Sequence, residues 1–285
     1  MRERGEAWSV NLTQRLTEAD LRFIVETVAD RRQDHDRIIE LVRDKEDFLE
    51  VMLQDDRLVR RVLEDEEILL KISPFLLFTI LMRRVRKDLQ AQGYTIERVG
   101  VRESVPVFDA PQVSEFLKEP EVEGYLVDLL VSFTRINTWT LYFYRHGQFH
   151  RRRFSDLNLD DMIELANLVE EEARFPIYKR VADIALFISG IFPEYAASRK
   201  RRSERGPLRM LVSAERLQSL EDYEEEGKRF YHLAAGHPTA KEIRLDRVLA
   251  SLAEHFSFAR KPLNLLSDRY IRWSKSRLFG GLSAP

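Results

Sequence analysis

Tyr142, Tyr144 and Arg145, followed shortly by Arg151, Arg152 and Arg153, bring aromatic rings and guanidinium groups into one short stretch. Rings of this kind stack on nucleobases, and guanidinium groups pair with phosphates. A second basic cluster, Arg199-Lys200-Arg201-Arg202-Ser203-Glu204-Arg205, offers a further phosphate contact. The competing structural reading makes both clusters a solvated or ion-paired rim.

A different chemistry attaches to Asp183, which stands in the apolar run Val181, Ala182, Ile184, Ala185, Leu186, Phe187. A buried carboxylate needs a partner or takes a raised pKa. Arg180 and Arg135 are the expected structural partners, and Asp183 is the residue to inspect first for a functional carboxylate. His146 and His150 are four apart, but Gly147 and the surrounding alternation put them at a hairpin turn, where helical metal-ligand geometry fails. None of the six histidines has Glu three residues before it, and there is no His-Glu-x-x-His, Walker loop, Gly-x-Gly-x-x-Gly or Gly-x-Ser-x-Gly. No metal and no cofactor is expected. With no cysteine in the chain, thiolate sites and disulfides are excluded.

The elements that must position these residues are mostly helical. Gly (11) and Pro (10) are scarce in 285 residues, so turns are few and elements long. Thr17-Glu18-Ala19-Asp20 caps a helix to about residue 30. A second helix is predicted over 34–54, with short charged helices over 55–71. Ser73-Pro74 opens another, running to about Gln92. Residues 94–109 alternate weakly and suggest extended structure. Helices follow at 111–117 and 121–135. The clearest β signal is 138–154, where Trp139, Leu141 and Phe143 alternate with Thr140, Tyr142 and Tyr144 and His146-Gly147-Gln148 supplies the turn. Helices resume at 158–172, 176–190, 213–235 and 241–258, and Lys261-Pro262 starts a last one. The fold class is therefore mainly α: a multi-helix bundle with a small β-hairpin at 138–154 and a second extended segment at 94–109. The expected organisation is a larger helical domain, 1–198, containing the hairpin. A basic loop, 199–207, then leads to a C-terminal helical subdomain, 208–285, packed on the first.

Two functional readings arise. The order helix, helix, hairpin over 111–154 imitates a winged helix. Its would-be recognition helix carries Glu121, Glu123 and Asp128, however, which suits base edges poorly. This leaves contact with RNA or with DNA of any sequence through the Arg/aromatic hairpin. The first reading by preference is a non-catalytic binding or scaffold protein acting through charged surfaces. Glu170-Glu171-Glu172 and the acidic run 221–226 oppose the basic loop and the Arg-rich stretch 269–277, and such blocks pair within one chain or between copies. A protein partner or self-association follows from that reading. A helical enzyme or small-ligand binder with a site outside known motifs is a third class. The tail 270–279 is amphipathic and is expected to pack on its own domain rather than on a membrane. The longest apolar runs, 72–82 and 184–192, fall well short of a membrane span. The first residues are charged and carry no apolar signal core, so a cytoplasmic location is expected. The net charge is −2, and 36 of the 46 basic residues are Arg.

Overall fold

Thr17 begins its helix with a reciprocal capping box. Its side chain accepts from the Asp20 N–H at 3.1 Å, and Asp20 accepts from the Thr17 N–H at 2.9 Å. The same Asp20 carboxylate, fully buried, also accepts from the N–H of Ser73 at 2.7 Å. Ser73 in turn caps the helix that Pro74 opens. One carboxylate thus ties the starts of two helices together.

The computed structural model describes residues 12–65, 67–98, 103–135, 138–145, 148–193, 219–272 and 274–279. The fold is mainly α with small antiparallel β ribbons, and its contacts divide it into two compact units. Unit 1 comprises residues 1–93 and 109–131, and unit 2 residues 94–108 and 132–285. The basic loop 199–207 lies outside the described residues. The helices on either side of it both belong to unit 2.

Unit 1 holds α1 (Leu12–Arg15), α2 (Glu18–Val28), α3 (His35–Asp44), α4 (Glu46–Leu53), α5 (Asp56–Glu64), α6 (Ile68–Lys71), α7 (Pro74–Ala91), α8 (Ala110–Phe116) and α9 (Pro120–Ser132). Leu76, Phe78, Ile80, Met82 and Val85 of α7 are fully buried and form its centre. The single helix expected over 34–54 is two, because Lys45 takes an extended conformation (φ −131°, ψ 93°) and serves as the last cap of α3 and the first of α4.

Unit 2 holds ribbon β1 (Thr95–Arg98) and β2 (Ser104–Val107), ribbon β3 (Thr138–Arg145) and β4 (Gln148–Ser155), and a set of helices. These are α10 (Leu159–Leu168), α11 (Phe175–Ile191), α12 (Leu220–Gly236), α13 (Pro238–Glu242), α14 (Asp246–Glu254), α15 (Phe256–Arg269) and α16 (Lys275–Leu278). The helix expected over 241–258 breaks at Arg244, which sits in the left-handed region (φ 56°). Leu245 N–H there reaches back to Ala240 O at 2.8 Å and Arg244 N–H to Lys241 O at 3.1 Å, the pattern of a Schellman helix end with Arg where Gly is usual. Pro262 does not open a helix. It lies inside α15, which begins at Phe256 so that Phe256, Ala259, Leu263 and Leu266 can be buried together. Pro74 and Pro176 do sit in the first turns of their helices.

Every residue of α11 from Val181 to Ile191 is buried. Its neighbours approach closely where side chains are absent. A Cβ added to Gly190 meets Leu263 Cβ at 2.7 Å, and one added to Gly227 of α12 meets the Phe256 ring at 2.3 Å. The tail packs on its own unit: Phe279 is buried with its ring centroid 5.0 Å from that of Phe187. No helix among the described residues is long and apolar enough to cross a membrane.

Two glycine substitutions test this packing in opposite directions. Gly227→Ala lowers unfolding stability by about 1–3 kcal/mol through overpacking. Gly124→Ala, in α9 with nothing within 4 Å of the new methyl, raises it by about 0.5–1 kcal/mol. Urea unfolding midpoints check both, and a neutral Gly227→Ala would show that α12 has room to spare.

Candidate nucleic-acid interface

In the β3–β4 ribbon, pairing sets Thr138 opposite Ser155, Thr140 opposite Arg153, Leu141 opposite Arg152 and Tyr142 opposite Arg151. Directly paired residues share a face and successive residues alternate. The arginine triplet is therefore split: Arg151 and Arg153 go to one face and Arg152 to the other.

Phe154 shares Arg152's face and is fully buried, which turns that face toward the protein. Arg152 forms ion pairs there with Glu164 and, at 3.6 Å, with Asp161 of α10, and its guanidinium lies 5.3 Å from the Phe154 ring centre. Asp161 also fixes the root of the ribbon, accepting from the Ser155 N–H at 3.0 Å. Below it, Arg180 of α11 donates to the Asp156 carbonyl at 2.7 Å and to the Ser132 hydroxyl at 2.9 Å, anchoring the residue after β4.

The outward face carries Thr138, Thr140, Tyr142, Arg151 and Arg153, all exposed. Tyr142 is 69% exposed, and the Arg151 guanidinium stands 6.0 Å from its ring centre. Arg153 donates to the Thr138 hydroxyl at 3.2 Å. Among the described residues neither Arg151 nor Arg153 has a carboxylate partner, unlike Arg152. Tyr144 and Arg145 belong to β3, in register with Phe149 and Gln148. Of the expected turn 146–148, residues 146 and 147 lie outside the described residues, as do Arg199, Lys200, Arg201 and Arg202, and Gln148 begins β4.

The winged-helix order does not make one unit. α8 and nearly all of α9 belong to unit 1, and the ribbon to unit 2. The acidic residues of α9 are engaged inside unit 1: Asp128 with Arg15, and Glu123 with Arg86 at 2.6 Å.

Asp183 is 2% exposed and paired. Lys179, one turn earlier on α11, donates to it at 2.7 Å, and the Tyr231 hydroxyl of α12 at 2.9 Å. Arg180 is taken by Asp156 and Ser132, and Arg135 is exposed.

Three features were not foreseen from sequence. The first is a buried polar cluster in unit 1. Arg83 of α7 bonds Glu50 at 2.6 Å, while its Nε and Nη1, and Oε1 of nearby Glu123, are buried with no hydrogen-bond partner among the described residues. Burial pushes Glu123 up from the usual carboxylate range, against the opposing pull of Arg86 and Arg83. The second is an open cleft of about 320 Å³, bordered by charged residues that include Glu26, Asp30, Arg57, Arg61 and Glu64. The third is an exposed apolar face on β1–β2. Ile96 pairs with Pro106, and Tyr94 meets Phe108 edge-on at 6.3 Å. All four are exposed, Phe108 at 78%. Isolated charges and short extended segments carry no sequence pattern that distinguishes these from ordinary surface.

Among the described residues no group of three or more His, Asp or Glu side chains could hold a metal ion. Comparison with protein-family models, curated proteins and solved structures finds no match to this chain.

The buried carboxylate has a pH signature. A pKa raised on folding means the native state binds the proton more tightly, so Glu123's contribution is fully present below its ordinary value of 4.5 and is lost as pH rises through the folded value. Relative to Glu123→Gln, the wild-type protein therefore loses stability as pH is raised from 4.5. Chemical denaturation of both proteins across that range measures the difference, and a difference independent of pH would contradict the assignment.

Proposed function

We propose that this protein binds nucleic acid through the outward face of the β3–β4 ribbon. The observation that carries the reading is the sorting of the arginine triplet. Arg152 is held by Glu164 and Asp161, whereas among the described residues Arg151 and Arg153 have no carboxylate partner, and Arg151 stands beside the exposed ring of Tyr142. An ion-paired structural rim would hold its arginines on nearby carboxylates, as Arg152 is held. Two guanidinium groups and a ring on one face match what a phosphate chain with attached bases offers. Readout of base sequence has no support here, because Thr138 and Thr140 are short and the helices that precede the ribbon belong to the other unit.

Binding through these groups is ionic and falls with salt. In Arg151→Ala/Arg153→Ala the dependence of log K on log salt weakens by about 1.4 for single strands or 1.8 for duplex, the loss of two phosphate contacts. Arg152→Ala leaves the slope unchanged. Retention on heparin and titration with labelled oligonucleotides at several salt concentrations test this. Absence of salt-sensitive binding by the wild-type protein removes the reading.

A second reading, a protein-binding role, draws on the apolar face of Tyr94, Ile96, Pro106 and Phe108 rather than on the charge blocks. Within the acidic run of α12, Glu224 pairs with Lys228 and Glu226 with Arg229 on the same helix. If that face joins two copies, sedimentation velocity shows concentration-dependent association that Phe108→Ser abolishes. A monomer at all concentrations rules out the self-associating form.

A further inference from the structure

We infer that the ligand of the β3–β4 face is a single strand, one of its bases stacked on Tyr142 and its backbone lying along β4. The inference rests on the nucleic-acid reading above and narrows it to one class of ligand.

The first argument is the distribution of charge across the ribbon. A two-stranded ribbon inside a duplex major groove lies between two phosphate backbones, and each strand of the ribbon then needs its own cations. Among the described residues the cations of the outward face are all on β4. Residues 138, 140, 142 and 144 of β3 are Thr, Thr, Tyr and Tyr. One phosphate chain can be matched, and a second cannot.

The second argument is the exposed ring. Tyr142 projects 69% of its surface into solvent from the middle of β3. In a duplex the faces of the bases are covered by their neighbours and only their edges reach the grooves, so the ring has nothing to stack on unless a base step is opened at a cost of about a few kcal/mol. In a single strand the base faces are free, and stacking on an aromatic side chain is worth about 1–3 kcal/mol per base.

The third argument is spacing. Arg151 and Arg153 are two residues apart on a strand, about 6.6–6.8 Å along β4. Arg151 faces Tyr142 across the ribbon with its guanidinium 6.0 Å from the ring centre. A base on the ring thus places its own phosphate near Arg151 and the next one along β4 toward Arg153. Carboxylates limit the approach from behind. Asp161 and Glu164 of α10 face the reverse side of the ribbon, where they hold Arg152. A strand confined to the outward face avoids them.

Fluorescence anisotropy of the full chain with labelled oligonucleotides of about 12 nucleotides, within the range of single-strand site sizes, tests the inference. Each sequence is offered single-stranded and as a duplex, in RNA and in DNA. The single strand is expected to bind at least about tenfold more tightly than the duplex. Tyr142→Ala weakens single-strand binding about 5- to 150-fold, the equivalent of one lost stack, and leaves duplex binding unchanged. Tyr142→Phe keeps the ring and keeps the affinity, which separates stacking from any loss of the hydroxyl. Equal or tighter duplex binding, or a Tyr142→Ala protein that binds single strands like wild type, overturns the inference while salt-sensitive binding leaves the nucleic-acid reading standing. Failure of the wild-type protein to bind either form at low salt removes both.

Discussion

A helix buried on every side must be covered on every side, and α11 sets that condition for unit 2. Its length from Val181 to Ile191 has no solvent face, so α10, α12 and α15 surround it instead of lying beside it. Burial also strands polar groups that water would otherwise satisfy. Side chains of α11 itself and of its neighbours meet several of them. Asp183 in mid-helix receives Lys179 and the Tyr231 hydroxyl. The carbonyls at the helix end are met by side chains: Asn264 donates to Ser189 O and Gly190 O, and Ser267 and Lys275 donate to Ile191 O. Gly190 and Gly227 then mark where the surrounding helices come too close for a Cβ. Arg180, from the first half of the same helix, reaches out to Asp156 and so connects this buried centre to the root of the ribbon.

How much of this was legible in the sequence depends on the kind of signal. Helix starts were, because Thr17 with Asp20, and Ser73 with Pro74, satisfy local backbone groups whatever the tertiary structure. The long ribbon was, because strict alternation from Trp139 to Tyr144 has one period only. Breaks inside helices were not. Lys45 and Arg244 are ordinary helix formers, and nothing in their identity marks the extended and left-handed backbones they adopt. Pro262 misled in the opposite sense: the usual place of proline in the first turn yields to the burial of the Phe256 face. The partners of Asp183 were half legible. A donor four residues earlier on the same helix is a matter of counting, whereas Tyr231 comes from a helix 48 residues away.

The candidate interface was visible as composition and hidden as geometry. Six aromatic and basic residues of the hairpin could be named from the sequence. Which of them face outward follows from register, and register follows from where the turn falls and which face Phe154 buries. A shift of one residue would have put Arg152 outward and turned Arg151 and Arg153 toward α10. The choice is made by hydrophobicity at Phe154, not by the arginines, so the charge pattern outside is a consequence of apolar packing inside.

That coupling also explains how a chain of net charge −2 can present a basic face. Nearby carboxylates govern the local field, since charges beyond about 8–10 Å are screened at ordinary ionic strength. The carboxylates closest to the ribbon's reverse, Asp161 and Glu164, are held by Arg152, and Asp161 is further occupied by the Ser155 N–H. Arg152 therefore does more than fasten β4 to α10. It engages Asp161 and Glu164 on the inner side, while among the described residues no carboxylate pairs with Arg151 or Arg153 on the outer side.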